Sequence, residues 1–514
     1  MRGIWQSVLI AILISVCPAN TQATHLATLY ARLDPKSITQ HLALYQLYPQ
    51  SREGHLALHQ AWVLLSGQGT TPTELDKIGL FHRQAVGLGP LLQSQGSESA
   101  SQLSTSQLEL VDRLARHLSN RKLKGFRATS EKALIDLSSD QIDLARGLFL
   151  SQTPSQPVRE RAIRNYEAML DLMALQIQAR LAPNASDTDK IQEMNRLVFE
   201  EMNFRFPPHS LYAKDIDVYT YLPSVLDSRR GVCLGVSILY ACLGQRLDIP
   251  LELITPPGHI FVQYKKGDHV INIETTARGV HVDSEEYLGL ESKHLQRRSM
   301  KEAIGLAHIN EASIYLKSDR ADRAVASYQI ARKYLPNDPL LTELLGYAFL
   351  LNGQEDEGRA CLEQIYETIP SHAVSRDTMA EDFLRGRCQA EDIRCIFQPV
   401  DASAESLRTK RAELEAVIER SPGFRAGWLQ LATILLQLHR LGEALPVLQH
   451  LHELDSSQPT VEYYLAVVYA ERFDFNKAWA HLNLAEKLLQ QKKHHSSILE
   501  RFRRQLFIRF PVAS

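Results

Sequence analysis

The C-terminal third of the chain repeats one pattern of small, aromatic and proline residues with a period of 34 residues. The first copy of the pattern consists of Ala312, Tyr315, Ala324, Tyr328, Ala331 and Pro336. Adding 34 to each number gives the second copy, Gly346, Phe349, Gly358, Leu362, Ile365 and Pro370. A second pair of copies starts near Arg425, with Trp428, Ala432, Leu435, Ala444, Leu448 and Leu451 followed by Ala466, Tyr469, Ala478, Leu482 and Ala485. Because small residues at fixed positions allow helices to pack closely, this period predicts stacked helix–turn–helix units that form an α-solenoid.

The length and composition are those of a globular protein with several cores. The chain has 514 residues, of which 44% are hydrophobic and 23% are charged, and this length suits about two to four domains. A formal net charge of −2 gives no electrostatic reason to expect nucleic acid as a partner. The spacing of cysteine and histidine indicates no zinc site, and no nucleotide or flavin motif is present, so we predict no cofactor.

The N-terminus has the pattern of a targeting segment. Arg2 precedes an apolar run at 8–17, and a small-residue cleavage site ends at Ala23. This pattern predicts a signal peptide at 1–23 and an exported protein, periplasmic or secreted, with no membrane span in the mature chain. The main alternative is that the segment is retained as an N-terminal membrane anchor. Lipid attachment at Cys17 is less favoured, because the bulky Val16 precedes it where such sites have a small residue.

In an exported protein, the number of cysteines bears on whether they pair as disulfides. Removal of the signal peptide leaves Cys233, Cys242, Cys361, Cys388 and Cys395. An odd number leaves at least one thiol unpaired. Cys388 and Cys395 are close enough in sequence to close a small disulfide loop, and the sequence leaves this pairing open.

Changes of pattern along the chain predict the domain boundaries. A helical region is expected at 24–181, with helices at 36–46, 55–66, 105–120, 137–151 and 157–181 and a Ser-rich loop at 94–99. An α+β domain is expected at 182–300, opened by a helix that Ser186 and Asp189 cap and that runs through Phe204 to Pro207-Pro208. The remaining segments are a repeat pair at 301–372, an irregular helical linker at 373–422, a second repeat pair at 423–490 and a basic helix at 491–514.

Three residues of the central domain have the chemistry of a thiol acyl-transfer site. Cys233 follows Gly231 and opens an apolar helix, where the helix dipole and free N–H groups favour a thiolate and can stabilise an oxyanion. His259 precedes one strand-like run and Glu274 ends the next. We predict a nucleophile, a base and an orienting acid in this order.

The two strand-like runs, 259–264 and 269–274, predict a hairpin. If Tyr264 lies opposite His269, paired residue numbers sum to 533, and His259 lies directly opposite Glu274. Direct partners in an antiparallel pair have Cβ atoms about 4.5–5.5 Å apart, within reach of an imidazole–carboxylate hydrogen bond. A two-residue turn at 266–267 gives the same register.

Each of these residues also has a purely structural interpretation. Cys233 would be a packed thiol, His259 a satisfied strand histidine and Glu274 a solvent-facing carboxylate. The coincidence of all three in this order favours the site. Cys242, about half a helical rotation from Cys233, is predicted to be a core residue, while His269 and His281 are predicted at the surface.

A series of short motifs carries a family resemblance. The motifs are Leu226-Asp227-Ser228-Arg229-Arg230-Gly231-Val232-Cys233, Leu239-Tyr240, Arg246-Leu247, Pro250, Pro257-Gly258-His259 and Asn272-Ile273-Glu274-Thr275-Thr276. This series resembles the transglutaminase-like core, with its papain-like α+β fold, and more narrowly the SirB-type subgroup, in which tetratricopeptide repeats commonly follow the core. The match covers about 186–300 and continues through the repeats. It implies Cys233 as nucleophile, His259 as base and Glu274 as acid, although many members have aspartate at the last position and some lack the cysteine.

Two functions of different classes follow from these observations. The first is an exported thiol hydrolase or acyltransferase that acts on peptide or amide bonds, with repeats that bind a peptide or protein partner. The second is a non-catalytic scaffold in which the repeats bind a partner and the core has no activity. A redox regulator acting through Cys233 ranks last, because no resolving cysteine is evident. The sequence does not distinguish hydrolysis from acyl transfer.

Overall fold

A computed structural model describes residues 19–66, 103–152, 159–207 and 219–510 of the chain. The described residues are mostly helical, with one small antiparallel sheet. They form two compact units that interleave along the sequence. The first unit takes its residues from 1–122, 153–203 and 243–249, and the second takes its residues from 123–152, 204–242 and 250–514.

We number the helices of the described residues in chain order. Those before the sheet are α1 (Ala19–Ala31), α2 (Ile38–Leu47), α3 (Arg52–Ser66), α4 (Thr105–Leu114), α5 (Glu131–Ile135), α6 (Leu144–Gln152), α7 (Arg159–Arg180), α8 (Asp187–Asn195), α9 (Leu222–Ser228) and α10 (Cys233–Leu247). The five helices predicted for the N-terminal region correspond to α2, α3, α4, α6 and α7. The predicted helix at 105–120 is too long, because 3₁₀ turns replace the α-helix from Ala115 onward.

The helix that opens the predicted α+β domain begins as expected and ends early. Ser186 accepts a hydrogen bond from the Asp189 backbone N–H, and the Asp189 carboxylate accepts one from the Ser186 N–H, which is a capping box. The α-helix continues as a π-helical segment, Arg196–Glu201. The prediction that it runs through Phe204 is wrong, because Asn203 adopts a left-handed conformation with φ of 56° and ends the helix first.

Several predictions fall on residues that the structure does not describe. The Ser-rich loop at 94–99 and Pro208 lie outside the described residues, as do residues 1–18 of the predicted signal peptide. Along the described ranges, no helix is both long enough and apolar enough to cross a membrane.

The sheet has four antiparallel strands in the order β3-β2-β1-β4. The strands are β1 (Leu251–Thr255), β2 (Phe261–Lys266), β3 (His269–Ile273) and β4 (Gln296–Arg298). The β2–β3 hairpin exists as predicted, but the predicted register is wrong by two residues, since Lys266 pairs with His269 and paired numbers sum to 535. The turn is Gly267-Asp268, where Gly267 has a φ of 61° at the position that a type II′ turn reserves for glycine.

The helices after the sheet include those of the repeats. They are α11 (Met300–Lys317), α12 (Ala321–Tyr334), α13 (Pro339–Leu351), α14 (Glu355–Ile365), α15 (Met379–Leu384), α16 (Ala390–Phe397), α17 (Ala404–Arg420), α18 (Arg425–Gln437), α19 (Leu441–Leu454), α20 (Pro459–Glu471), α21 (Phe475–Gln491) and α22 (Ser497–Arg509). The alanines of the repeat pattern are all fully buried, namely Ala312, Ala324, Ala331, Ala432, Ala444, Ala466, Ala478 and Ala485. The 34-residue spacing reappears in the starts of α18 and α20, Arg425 and Pro459.

The predicted irregular linker at 373–422 contains the three helices α15, α16 and α17. Cys388 and Cys395 lie buried in one hydrophobic cluster around these helices, together with Phe383, Ile393 and Leu414. Both thiols are free, so no disulfide links them.

Asp171 is a buried carboxylate of the first unit. Its side chain is 1% exposed and accepts hydrogen bonds from Arg246 Nε at 2.8 Å and from Arg121. The Arg246 side chain is itself completely buried. Two guanidinium groups therefore share one carboxylate, and removing one partner of a buried ion pair is strongly destabilising.

We expect Asp171→Ala to lower the free energy of unfolding by about 3–5 kcal/mol, because it removes the buried carboxylate that Arg246 and Arg121 share. The matched control is Asp112→Ala, which removes a half-exposed carboxylate that pairs with Arg121 and Arg164. That exposed pair contributes less than about 1 kcal/mol. Urea denaturation of both variants measures the difference, and equal losses would contradict the assigned role of Asp171.

Candidate active site

Cys233 is the first residue of α10. The backbone just before it packs closely against the segments that contain Arg205 and Tyr219. The Gly231 N–H donates to the Arg205 carbonyl, and the Val232 N–H donates to the Tyr219 carbonyl. A Cβ on Gly231 would lie 2.5 Å from Val236 Cγ2, so only glycine fits there. Cys233 is partly exposed at the start of the helix. The first-turn N–H groups of a helix lack intrahelical acceptors, so they are available to a developing oxyanion.

His259 ends the turn that connects β1 to β2. The His259 N–H donates to the Pro256 carbonyl at 3.1 Å, and Gly258 has a φ of 69°. Proline at the second position and glycine with positive φ at the third are the requirements of a type II turn. The Pro-Pro-Gly-His sequence therefore fixes the backbone from which the imidazole extends.

Glu274 follows β3 and is only 6% exposed. Its Oε2 accepts hydrogen bonds from His259 Nε2 and from the Tyr287 hydroxyl, each at 2.6 Å. Its Oε1 accepts from the Thr276 N–H at 3.1 Å and from the Thr276 hydroxyl at 2.6 Å. Four donors thus hold this buried carboxylate in its ionised form.

The predicted contact of His259 with Glu274 exists, but it does not arise from direct pairing. In the observed register His259 lies beyond the end of the ladder, and the residue opposite it would be Thr276 rather than Glu274. Glu274 is therefore a diagonal neighbour of His259. A slip of two residues keeps every side chain on the same face, and long side chains can bridge a diagonal.

The histidine also contacts the thiol. The Cys233 side chain acts on the imidazole, because its interaction with His259 is one of the causes that raise the pKa of His259, beside the hydrogen bond to Glu274. Ser237, one helical turn after Cys233, forms a buried hydrogen bond of 3.0 Å with Thr275, the residue after Glu274. This bond fixes α10 against the end of β3, so the three predicted site residues meet.

The electrostatics of the pair favour charged forms of both partners. Burial lowers the pKa of His259, but hydrogen bonds to Cys233 and Glu274 and the charges of both outweigh it and raise the pKa to about 9. Burial raises the pKa of Glu274, but its hydrogen bonds to His259, Thr276 and Tyr287 and the imidazolium charge lower it to about 2. At neutral pH the site therefore holds an imidazolium and a carboxylate.

Tyr287 is a site residue that the sequence reasoning missed. Its ring stacks on His259 with a centroid separation of 5.6 Å and on Phe261 with one of 4.6 Å. Burial and the hydrogen bond to Glu274 raise the pKa of Tyr287, so it remains a donor. It lies 13 residues after Glu274, at the end of a short 3₁₀ helix, Ser284–Tyr287, where no periodic signal marks it.

Asn272 fixes the loop that carries Tyr287. Its amide nitrogen donates to the Val282 carbonyl at 2.7 Å and to the Ser284 hydroxyl at 2.9 Å, and its backbone N–H donates to His281 Nδ1 at 3.0 Å. Gln263 on β2 donates to the Asn272 side-chain oxygen. Asn272 and Thr276 stand in the motif quoted above, but nothing in their spacing indicated these contacts.

The remaining histidine and cysteine predictions agree with the structure. His269 and His281 are exposed, and Cys242 is completely buried. The described residues contain no group of three or more histidine, cysteine or acidic side chains arranged to hold a metal ion. The arrangement around His259 consists of a partly exposed thiol, an imidazole that carries a proton and a buried carboxylate that accepts its hydrogen bond.

Two family models match the chain. Residues 164–318 match the transglutaminase-like superfamily, and residues 309–373 match the tetratricopeptide repeat.

Relatives and solved structures give weaker likenesses. A protein named "UPF0162 protein" from Xylella fastidiosa is 24% identical over 201 residues, which are 35% of this chain and 69% of the relative. Another UPF0162 protein, from Pseudomonas aeruginosa, is 28% identical over 149 residues, which are 28% of this chain and 50% of the relative. Among solved structures, yeast Tom70 is 11% identical over 92% of this chain and 89% of its own, with a TM-score of 0.23. MamA from Desulfovibrio magneticus is 15% identical over 36% of this chain and 96% of its own, with a TM-score of 0.19.

The family models and the geometry of the site agree on the domain content of the chain. The chain contains a transglutaminase-like domain at residues 164–318, followed by tetratricopeptide repeats that the second family model locates at residues 309–373.

Proposed function

We propose that the protein is a thiol-dependent acyl-transfer enzyme that acts on peptide or amide bonds through Cys233, His259 and Glu274. The observation that carries the proposal is the 2.6 Å hydrogen bond from His259 Nε2 to the buried Glu274 carboxylate, on an imidazole whose pKa the Cys233 side chain also raises. The conclusion also draws support from the transglutaminase-like domain around these residues.

The geometry suggests how the reaction proceeds. The Cys233 thiolate attacks the carbonyl carbon of the substrate, and first-turn N–H groups of α10 stabilise the oxyanion. The C–N bond breaks as the His259 imidazolium gives its proton to the leaving amine, which leaves a thioester. Water or a second amine then attacks the thioester and transfers a proton to His259, and the C–S bond breaks to release the thiolate. Glu274 stabilises the imidazolium before and after these steps.

The tetratricopeptide repeats support binding of a protein partner. In the proposed enzyme they bind the peptide or protein that carries the reacting bond. We further propose that the mature protein is exported, on the strength of the basic and apolar pattern at its N-terminus. The proposed acyl-transfer activity and the proposed export do not depend on each other.

We expect iodoacetamide to alkylate Cys233 at pH 6 at least about tenfold faster in the native protein than in His259→Ala, because the imidazolium stabilises the reactive thiolate. Mass spectrometry of the peptide that contains Cys233 measures the rate. The buried Cys242, Cys361, Cys388 and Cys395 provide slow internal references.

The matched control for this experiment is His269→Ala, which removes an exposed histidine from the same hairpin. It should leave the rate unchanged. If His259→Ala and His269→Ala react alike with iodoacetamide, the site has no thiolate–imidazolium pair, and the protein is better described as a non-catalytic scaffold.

The His259–Glu274 pair also predicts a pH window of stability. The raised pKa of His259 contributes stability that is complete below pH 6.5 and is lost as pH rises toward about 9. The lowered pKa of Glu274 contributes stability that is complete above pH 4.5 and is lost as pH falls toward about 2. The melting temperature of the native protein should therefore exceed that of Glu274→Gln most between pH 4.5 and 6.5.

Differential scanning calorimetry from pH 3 to pH 9 tests this window. A gap between the two proteins that stays constant across the whole range would show that Glu274 acts only through shape and packing. Glu285→Gln, an exposed change in the same loop region, is expected to give a curve that follows the native protein.

A further inference from the structure

A cavity of about 400 Å³ adjoins the turn that carries His259. Its wall includes Pro257, the second residue of that turn, and it extends along the helices α13, α18, α19 and α20 of the same compact unit. The large aliphatic side chains of the lining are those of Leu340, Ile365, Leu429, Leu451 and Val461. No part of the proposed reaction uses these residues.

Two carboxylates, Glu343 and Asp377, stand in the wall of this cavity. They are 34 residues apart in sequence, which is one repeat period. Glu343 accepts a hydrogen bond from the Tyr347 hydroxyl at 2.6 Å, and Asp377 accepts one from the Met379 N–H at 2.6 Å. Across the described ranges, neither carboxylate forms an ion pair with a lysine, arginine or histidine.

The basic residues of the cavity wall are already engaged. Arg425 pairs with Asp382, Glu381 and Asp455, and Arg376 pairs with Glu381. His372 adds no charge at neutral pH, because burial and the nearby Arg298 and His294 lower its pKa, more than Asp338 raises it. Glu291 and Asp455 also stand in the wall, where Asp455 pairs with Arg425. The cavity thus combines an apolar lining with two carboxylates, Glu343 and Asp377, that form no ion pair within the described ranges, although the charge of Arg425 acts on Asp377.

The carboxylate pair is protonated more readily than ordinary acids. Burial and the charge of Asp377 raise the pKa of Glu343 to about 7, against the opposing hydrogen bond from Tyr347. Electrostatic repulsion between two neighbouring carboxylates in a recess favours a proton on one of them. Both can be ionised at lower free-energy cost when a cation takes the place of that proton. A ligand that brings one positive charge would satisfy the pair.

We propose that this cavity binds a lysine side chain of a peptide or protein partner, with its ammonium group on Glu343 and Asp377. The proposal rests on the partner binding assigned to the repeats above. Lysine fits because its four-carbon stem can lie along the apolar lining while its compact ammonium group donates three hydrogen bonds. The planar guanidinium of arginine requires a fork of acceptors, and a free amino terminus has no apolar stem to bury.

The position of Pro257 gives the cavity a role in the proposed reaction. A chain segment anchored by its lysine in the cavity would lie beside the turn that ends at His259. The cavity would thereby hold a partner beside this turn without contributing to the chemistry itself.

Fluorescence anisotropy with the full-length Cys233→Ala variant tests the proposal without any turnover. The probes are four dye-labelled hexapeptide amides of alanine and leucine. Three are N-acetylated and carry lysine, arginine or norleucine at the centre, and the fourth carries norleucine and a free amino terminus. We expect the lysine peptide to bind at least about tenfold more tightly than each of the others, the gain expected from charge-assisted hydrogen bonds.

Variants of the pair distinguish the carboxylates from the apolar lining. Glu343→Gln and Asp377→Asn should each weaken binding of the lysine peptide about tenfold or more and leave the norleucine peptide unaffected. The matched control is Glu363→Gln, an exposed glutamate on α14 outside the cavity. Binding of the lysine peptide should also tighten from pH 6.5 to pH 8 as Glu343 loses its proton, and this trend should vanish in Glu343→Gln.

Three results would overturn the proposal. These are no binding of the lysine peptide, equal binding of the norleucine peptide, and tighter binding of the arginine or free-amine peptide. Loss of alkylation in the earlier experiment would reject the enzyme without bearing on this measurement, because Cys233 is absent from the protein used here.

Discussion

The buried carboxylate of Glu274 is the point on which the organisation of the site depends. A carboxylate that is almost completely excluded from water is stable only if donors surround it. Here the donors come from the turn after β1, from Thr276 after β3 and from the segment that carries Tyr287. One acceptor therefore joins three separate segments of the domain. Its charge keeps the neighbouring imidazole protonated, which a neutral side chain would not do.

The position of Cys233 depends on a different constraint, the close approach of backbones before α10. Gly231 and Gly235 each lie too close to neighbouring atoms for a side chain, and Gly235 faces the Tyr219 carbonyl. The hydrogen bond between Ser237 and Thr275 then sets the helix against the sheet. The thiol and the imidazole are thus placed by two sets of contacts that meet at the end of β3.

Local patterns predicted the repeats, the helix that begins at Cys233 and the hairpin that brings His259 and Glu274 together. Each has a short-range physical cause: buried alanines, a glycine turn before an apolar run, and alternation within strands. The register of the hairpin was predicted wrongly because these residues are compatible with a two-residue turn at either 266–267 or 267–268. The predicted contact survived because a shift of two residues leaves both side chains on one face.

What the sequence did not reveal depends on tertiary contacts between irregular segments. Tyr287 reaches Glu274 only because Asn272 fixes its loop, and no periodicity records such an arrangement. Glu343 and Asp377 are one repeat apart, but the first lies on α13 and the second precedes α15. Only the packing of the helices shows that they line the same cavity.

Pro257 belongs to two structures at once, the wall of the cavity and the turn that ends at His259. A molecule in the cavity therefore touches the same rigid four-residue turn that aims the imidazole. If occupancy alters the proton affinity of His259, thermodynamic reciprocity requires that protonation of His259 alter the affinity of the cavity by the same factor. Binding of a partner in the cavity and protonation of His259 would then be coupled, so that the bound partner changes the charge state of the site that acts on it.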